Sequence, residues 1–297
     1  MIFLSNLTKG VTRNSNSLTP SFFSATIGLM LGVLWNNILV MPMLNFLAAS
    51  YKLFGNLGIA IIILTVVIRA ILIPVTLPSM KAIKKQRDIQ PELDKLKEKY
   101  KYDKKKLAEL QMELMKKHGI NPASGCFTQI IMMIVLIALY GVIRKFTIDT
   151  NLVDLNTQLL FPFLKFTAGQ TISTNFLYLN LAKPDPLFIS AILAGALQLV
   201  ASKMTMPYVE QGEKAAKQTP DKKDDIGYNM QQQMLYTMPL MNVIIGVTLP
   251  SGVVLYIITT TLFSIVQTYL FSGWGGMKSW IEKAKALKHG KSRNNKK

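Results

Sequence analysis

The chain has 297 residues, of which 50% are hydrophobic and 17% charged, and its mean hydropathy of +0.29 is too high for an ordinary soluble domain of this size. Its 34 Lys and Arg against 16 Asp and Glu leave a formal net charge of +18, concentrated in a few segments. One cysteine, Cys126, excludes an intrachain disulfide. The two histidines, His118 and His289, are too far apart in sequence to suggest a metal or haem site, and neither glycine-rich phosphate-binding pattern occurs, so no cofactor, metal or chemical reaction is expected.

Residues 1–36 are read as an N-terminal extension in which Lys9 and Arg13 precede the apolar run Phe22 to Leu34. That run has the length of a signal-peptide core, but no small-residue cleavage site follows it closely, which favours an uncleaved anchor or a helix that dips into the membrane. If the run spans, the N-terminus is cytoplasmic; if it does not, the N-terminus is outside. Residues 37–56 are apolar but interrupted by Pro42, Asn45 and Lys52, as in an amphipathic helix on the outer interface. Five apolar stretches then have bilayer-crossing character: 57–77, 122–145, 187–206, 234–249 and 253–271. The expected fold is therefore an all-α polytopic membrane protein.

Charge sets the expected orientation. Segment 78–121 is dense in lysine and the tail 272–297 is strongly basic, so both are expected in the cytoplasm; segment 146–186 is poor in Lys and Arg and is expected outside. Within 78–121, Leu93, Leu96 and Tyr100, and again Leu107, Leu110 and Leu114, recur at spacings of three and four. That periodicity predicts two charged helices with narrow apolar seams, folded as a hairpin about a break near Tyr100 to Asp103, with Asp103 capping the second. Gly119 is expected to end that helix, and Asn121-Pro122 to start the next span. The connection 207–233 mixes charges of both signs with Gly, Pro and Gln, and reads as a loop.

Arg69 stands in the otherwise apolar stretch 57–77 with no acidic neighbour. An arginine near the middle of a span costs about 2.5–3.5 kcal/mol on insertion scales and stays charged, so its site must supply water or a partner unless it snorkels from near the helix end. Thr65 lies four residues before it on the same helical face. The last span carries Tyr256, Thr260, Ser264 and Gln267 at helical spacing, and the third carries Gln198 and Ser202. Lone hydroxyls commonly bond back to their own helix; together with an unpaired arginine, Thr65, Gln198, Tyr256 and Thr260 read as the lining of a hydrated cavity. None of the five stretches contains Asp or Glu, which leaves Arg69 available to an incoming carboxylate. Met133 and Ile137 on the second stretch, and Met241 and Ile245 on the fourth, offer adaptable greasy surface, although such residues are commonly plain packing or lipid-facing. The apolar runs within both, Phe127 to Ile143 and Met234 to Leu249, are only about 16–17 residues long, at the short limit for a bilayer, so local thinning is expected.

Ordered motifs then carry a resemblance. They are Gly58-Ile59-Ala60-Ile61-Ile62 leading to Thr65-x-x-x-Arg69-x-x-x-x-Pro74, Gln90-Pro91 in the charged hairpin, Asn121-Pro122-Ala123-Ser124-Gly125-Cys126, Ala138-Leu139-Tyr140, Asp185-Pro186, and Pro250-Ser251-Gly252-x-x-Leu255-Tyr256. In these the sequence resembles the YidC family of membrane-protein insertases, relatives of the Oxa and Alb insertases, over about residues 38–271. The resemblance implies a multi-pass protein of the bacterial cell membrane. It also implies five core spans around a hydrophilic groove, with Arg69 at the floor, Thr65 and Tyr256 on the walls, and substrates leaving beside the second and fourth spans. Implied partners are nascent membrane proteins, the lipid bilayer, the ribosome through the basic tail, and the general secretion translocon. The competing readings are a secondary transporter or channel of small solutes, against which no inverted repeat and no intramembrane acid are evident, and a ribosome-tethering anchor.

Overall fold

The structure is a computed structural model describing residues 32–100, 102–120, 123–147, 152–167, 170–205, 226–278 and 280–281; the first 31 residues, Asn121-Pro122, most of the 207–233 connection and the tail beyond 281 lie outside the described residues. The described part is mainly helical. Helix α1 is Gly32–Phe54, with a wider-than-usual turn at Trp35–Val40; α2 is Leu57–Ile71, α3 Ile73–Asp88, α4 Gln90–Lys99, α5 Lys104–Lys117 and α6 Ala123–Thr147. Helix α7 (Leu152–Gln158) is followed by a short hairpin of β1 (Asn175–Phe176) and β2 (Leu179–Asn180), then α8 (Ile189–Thr205), α9 (Ile226–Thr248) and α10 (Ser251–Ser272).

Local chemistry sets these boundaries. Gly55, at φ +67°, ends α1 in the left-handed region, and the Asn56 side chain accepts from the amides of Gly58 and Ile59 to start α2. Asp103 caps α5 through the Lys106 amide, and Gly119, at φ +66°, follows its end. The helix expected over 57–77 stops at Ile71. Pro74 has no amide hydrogen to continue the ladder, and α3 leaves at 67° to α2. The residues expected to open the hairpin therefore belong to α3, and only α4 and α5 form the paired arms. At the other side of the bundle, α1 begins before the expected 37–56 segment and has the length and hydropathy of a span. Helix α9 likewise begins at Ile226, within the segment read as a loop.

By length and composition, α1, Thr128–Thr147 of α6 and α10 can each cross a membrane, and the bent pair α2 and α3 makes a fourth. Helix α8 has 17 residues, or about 26 Å at 1.5 Å each, roughly 4 Å less than a hydrocarbon core of about 30 Å. The apolar part of α9, Leu235–Thr248, is shorter still. Helix α10 sits at the centre, between α2 on one side and α8 on the other; α9 packs outside α8, α1 against α2, and α6 against α3 and α1. Small residues let these helices close. A Cβ on Gly246 would stand 2.9 Å from the Ala191 Cβ, and one on Gly195 would meet Val243.

Leu44, Leu47, Leu57, Ile61, Leu139, Ile143, Leu181, Val253 and Val254 are fully buried in one cluster that joins α1, α2, α6 and α10. The hairpin has a separate small cluster of Ile89, Leu93 and Ile120. The segment between α6 and α8 clasps the start of α10: the Ser251 amide and hydroxyl both donate to the Lys183 carbonyl at 2.8 Å, and the Gly252 amide donates to that of Leu181 at 3.1 Å. Asp185 starts α8. Its carboxylate accepts from the amides of Leu187 (3.0 Å) and Ser190 (2.8 Å) and from the Tyr178 hydroxyl (3.1 Å).

Candidate functional site

Arg69 lies in the last turn of α2, half-buried, where α2 meets α10. Its Nη2 donates to the Thr260 carbonyl at 3.1 Å and to the Ser264 hydroxyl at 2.8 Å, and its guanidinium carbon sits 6.0 Å from the centre of the Phe263 ring. The Ser264 hydroxyl itself donates to the same Thr260 carbonyl at 3.0 Å. A guanidinium has five donors, and these contacts use only one of its nitrogens. Its Nε is buried without a hydrogen-bond partner among the described residues, and so is the Thr260 hydroxyl. No described carboxylate forms an ion pair with Arg69, and none of the helices α2, α6, α8, α9 and α10 contains Asp or Glu. The result is a cation seated on neutral oxygens beside an aromatic face, with no compensating carboxylate among the described residues.

The other expected lining residues are placed unequally. Tyr256 is buried one turn before Thr260 and near enough to Arg69 for the two to interact electrostatically. Thr65 is fully buried, and its hydroxyl donates to the Ile61 carbonyl of its own helix at 2.6 Å, the back-bonding typical of a lone helical hydroxyl. Gln198 is half-buried on α8, with its amide 3.4 Å from the Ser202 hydroxyl rather than on Arg69. Arg69, Thr260 and Tyr256 are thus brought together, while Thr65 and Gln198 are occupied within their own helices.

Two further contacts fall outside the expected lining. Ser264 was legible in the four-residue spacing of the polar stripe, yet only the packing of α2 on α10 makes it a ligand of Arg69. Thr76, which has no sequence signal of its own, accepts from Gln267 at 3.0 Å, a buried bond that fastens α3 to α10 just past the bend. Of the apolar residues expected to meet substrate, Met133 and Ile137 on α6 are each 52% exposed and Met241 on α9 is 47% exposed, whereas Ile245 is half-buried.

A family model described as 60Kd inner membrane protein matches residues 49–275, a range that takes in α2 through α10 with Arg69 and its partners. The chain belongs to that family. Among relatives of this 60Kd inner membrane protein family, the membrane protein insertase YidC of Fusobacterium nucleatum is 32% identical over 234 residues, 78% of this chain and 94% of the relative. The membrane protein insertase MisCA of Bacillus subtilis is 31% identical over 245 residues, 80% of this chain and 79% of the relative. The YidC of Wolinella succinogenes is 34% identical over 227 residues, which is 76% of this chain but only 35% of that longer protein. The family resemblance seen in the motifs therefore holds along most of the chain. With several apolar helices of membrane-crossing character, this member is a multi-pass protein of the bacterial cell membrane.

Proposed function

We propose that this chain is a membrane-protein insertase in which Arg69 draws the acidic, polar tail of a nascent protein into the bilayer while the apolar segment of that protein leaves beside α6 and α9. The observation that carries the reading is the half-buried charge of Arg69 between α2 and α10, with no compensating carboxylate among the described residues. At a separation of about 6 Å and an effective dielectric near 20, a carboxylate gains about 3 kcal/mol from such a cation. Placing Asp at the centre of a span costs about 2.5–3.5 kcal/mol, so one arginine offsets roughly one acidic residue. Thr260, Ser264 and Tyr256 would supply polar groups beside that path, while Thr65 and Gln198, bonded within their own helices, would have to turn from those bonds to take part.

Helix α8 and the apolar part of α9, Leu235–Thr248, bear on the passage of the polar tail. Helices shorter than the hydrocarbon thickness thin the bilayer around them, and a thinner barrier reduces the work of moving polar chain across. No covalent step is required: binding energy and a shortened path suffice. The basic residues of the tail are proposed to contact ribosomal phosphate or anionic lipid by charge alone, and cooperation with a general translocon is compatible with the same chemistry. Photo-crosslinkers at Met133, Ile137, Met241 and Ile245 should capture the apolar segment of a stalled substrate, and one at Thr260 its polar tail. Adducts spread evenly around every helix would reject the exit path.

A further inference from the structure

Arg87, in the last turn of α3, makes contacts that the insertion path does not use. It is half-buried, and it stands two residues before Ile89, the first member of the hairpin's apolar cluster. Its Nη1 donates to the Ser272 carbonyl at 3.2 Å and its Nη2 to the Met204 carbonyl. Ser272 is the last residue of α10, and Met204 the penultimate residue of α8. Carbonyls at helix C-termini lack intrahelical partners and carry the negative end of the helix dipole, so one guanidinium closes two helix ends at once. A planar fork with five donors suits that task, whereas the compact ammonium of lysine acts as a point charge.

The seat is shaped for this side chain. Gly275, at φ +48°, lies directly against it: a Cβ there would stand 2.7 Å from the guanidinium carbon and would also collide with the Met204 carbonyl. The second tie between α3 and α10 is the Gln267 to Thr76 bond. Thr76 and Arg87 are about 16 Å apart along α3 at 1.5 Å per residue, so the helix is held at two well-separated points. Beyond Arg87 the chain passes through Ile89 into α4, and the hairpin's apolar cluster is separate from the main one. The direction in which the hairpin leaves the bundle is therefore set at the end of α3.

We propose that Arg87 is a positioning residue, a latch that fixes the angle of the α4–α5 hairpin by joining the end of α3 to the C-terminal carbonyls of α8 and α10, with Gly275 keeping its seat open. The geometric part of this proposal stands without the insertase reading. Only its consequence, that a misplaced hairpin delivers substrates poorly, rests on that reading.

The test uses the full-length protein in nanodiscs, in a Cys126→Ser background, with spin labels at the exposed positions Lys105 on α5 and Leu262 on α10. Wild type should give one narrow distance distribution. Arg87→Ala should lose the narrow peak, Arg87→Lys should restore it in part, and Gly275→Ala should reproduce the loss while keeping the charge. Should Arg87→Ala fold poorly, Gly275→Ala decides the matter. A wild-type distribution in either alanine variant, with that variant folded, overturns the proposal. The measurement involves no substrate, so a protein unable to insert anything would leave its outcome intact.

Discussion

Replacing Asp185 should uncouple α8 from the segment that precedes it. The carboxylate is 1% exposed and accepts three hydrogen bonds, but they are not equal in cost. Tyr178 and Leu187 lie at exposed positions, so their donors can turn to water once the carboxylate is gone. Ser190 is buried, and its first-turn amide would be stranded at a cost of about 1–3 kcal/mol. Loss of an N-cap costs about 0.5–2 kcal/mol by an independent measure, so Asp185→Ala should destabilise by about 2 kcal/mol and Asp185→Asn, which keeps one acceptor, by about 1. Burial alone would push the Asp185 carboxyl up, but the Ser190 and Leu187 amides and the Tyr178 hydroxyl outweigh it and hold it below the usual range. A carboxyl depressed in the native state stabilises fully above its unfolded pKa of about 3.9, and that contribution is lost as pH falls through the native value. Thermal unfolding of detergent-solubilised protein between pH 7 and pH 3, with hydrogen exchange at the Ser190 amide, checks both claims. An Asp185→Ala protein with wild-type midpoint and wild-type Ser190 protection would refute the reasoning, as would an Asp185→Asn protein with the same acid sensitivity as wild type.

Gly58→Ala should cost about 1–3 kcal/mol, because a Cβ there runs into the Phe176 ring of the small hairpin, and Phe176→Ala in the same chain should recover part of the loss in a double-mutant thermal cycle. Breaking the buried Gln267 to Thr76 bond by Gln267→Leu or Thr76→Val alone should destabilise by about 1–3 kcal/mol, while the pair changed together should unfold closer to wild type.

The family, the helical class and the caps at Asp103 and Gly119 were legible because each rests on local pattern: apolar length, charge density, or one residue whose backbone geometry is distinctive. Arg69 was legible for the same reason, being a charge where hydrocarbon was expected. Its partners were not fully legible. Thr65 has the right spacing to face Arg69, yet its hydroxyl is satisfied one turn back, and spacing alone does not separate those outcomes. The bend at Leu72 was hidden because Pro74 reads equally as a residue in a continuous span and as the start of a new helix. Arg87 sat unnoticed among many lysines. Its role depends on the ends of α8 and α10, which come to it from more than a hundred residues away and which no local signal in the charged segment reveals.

The central claim, that Arg69 draws acidic tails across, is tested most directly by insertion into proteoliposomes of single-span substrates whose translocated tails carry none, one, two or three acidic residues. Wild type and Arg69→Ala are compared at equal reconstituted amounts. An attraction of about 3 kcal/mol, reduced where water screens it, corresponds to a loss of roughly 10- to 100-fold in insertion rate for the acidic tails. The account predicts that loss for acidic tails and little change for the neutral one, with Arg69→Lys intermediate. Equal insertion by wild type and Arg69→Ala across the whole series, or a loss of the same size for every tail, would contradict it.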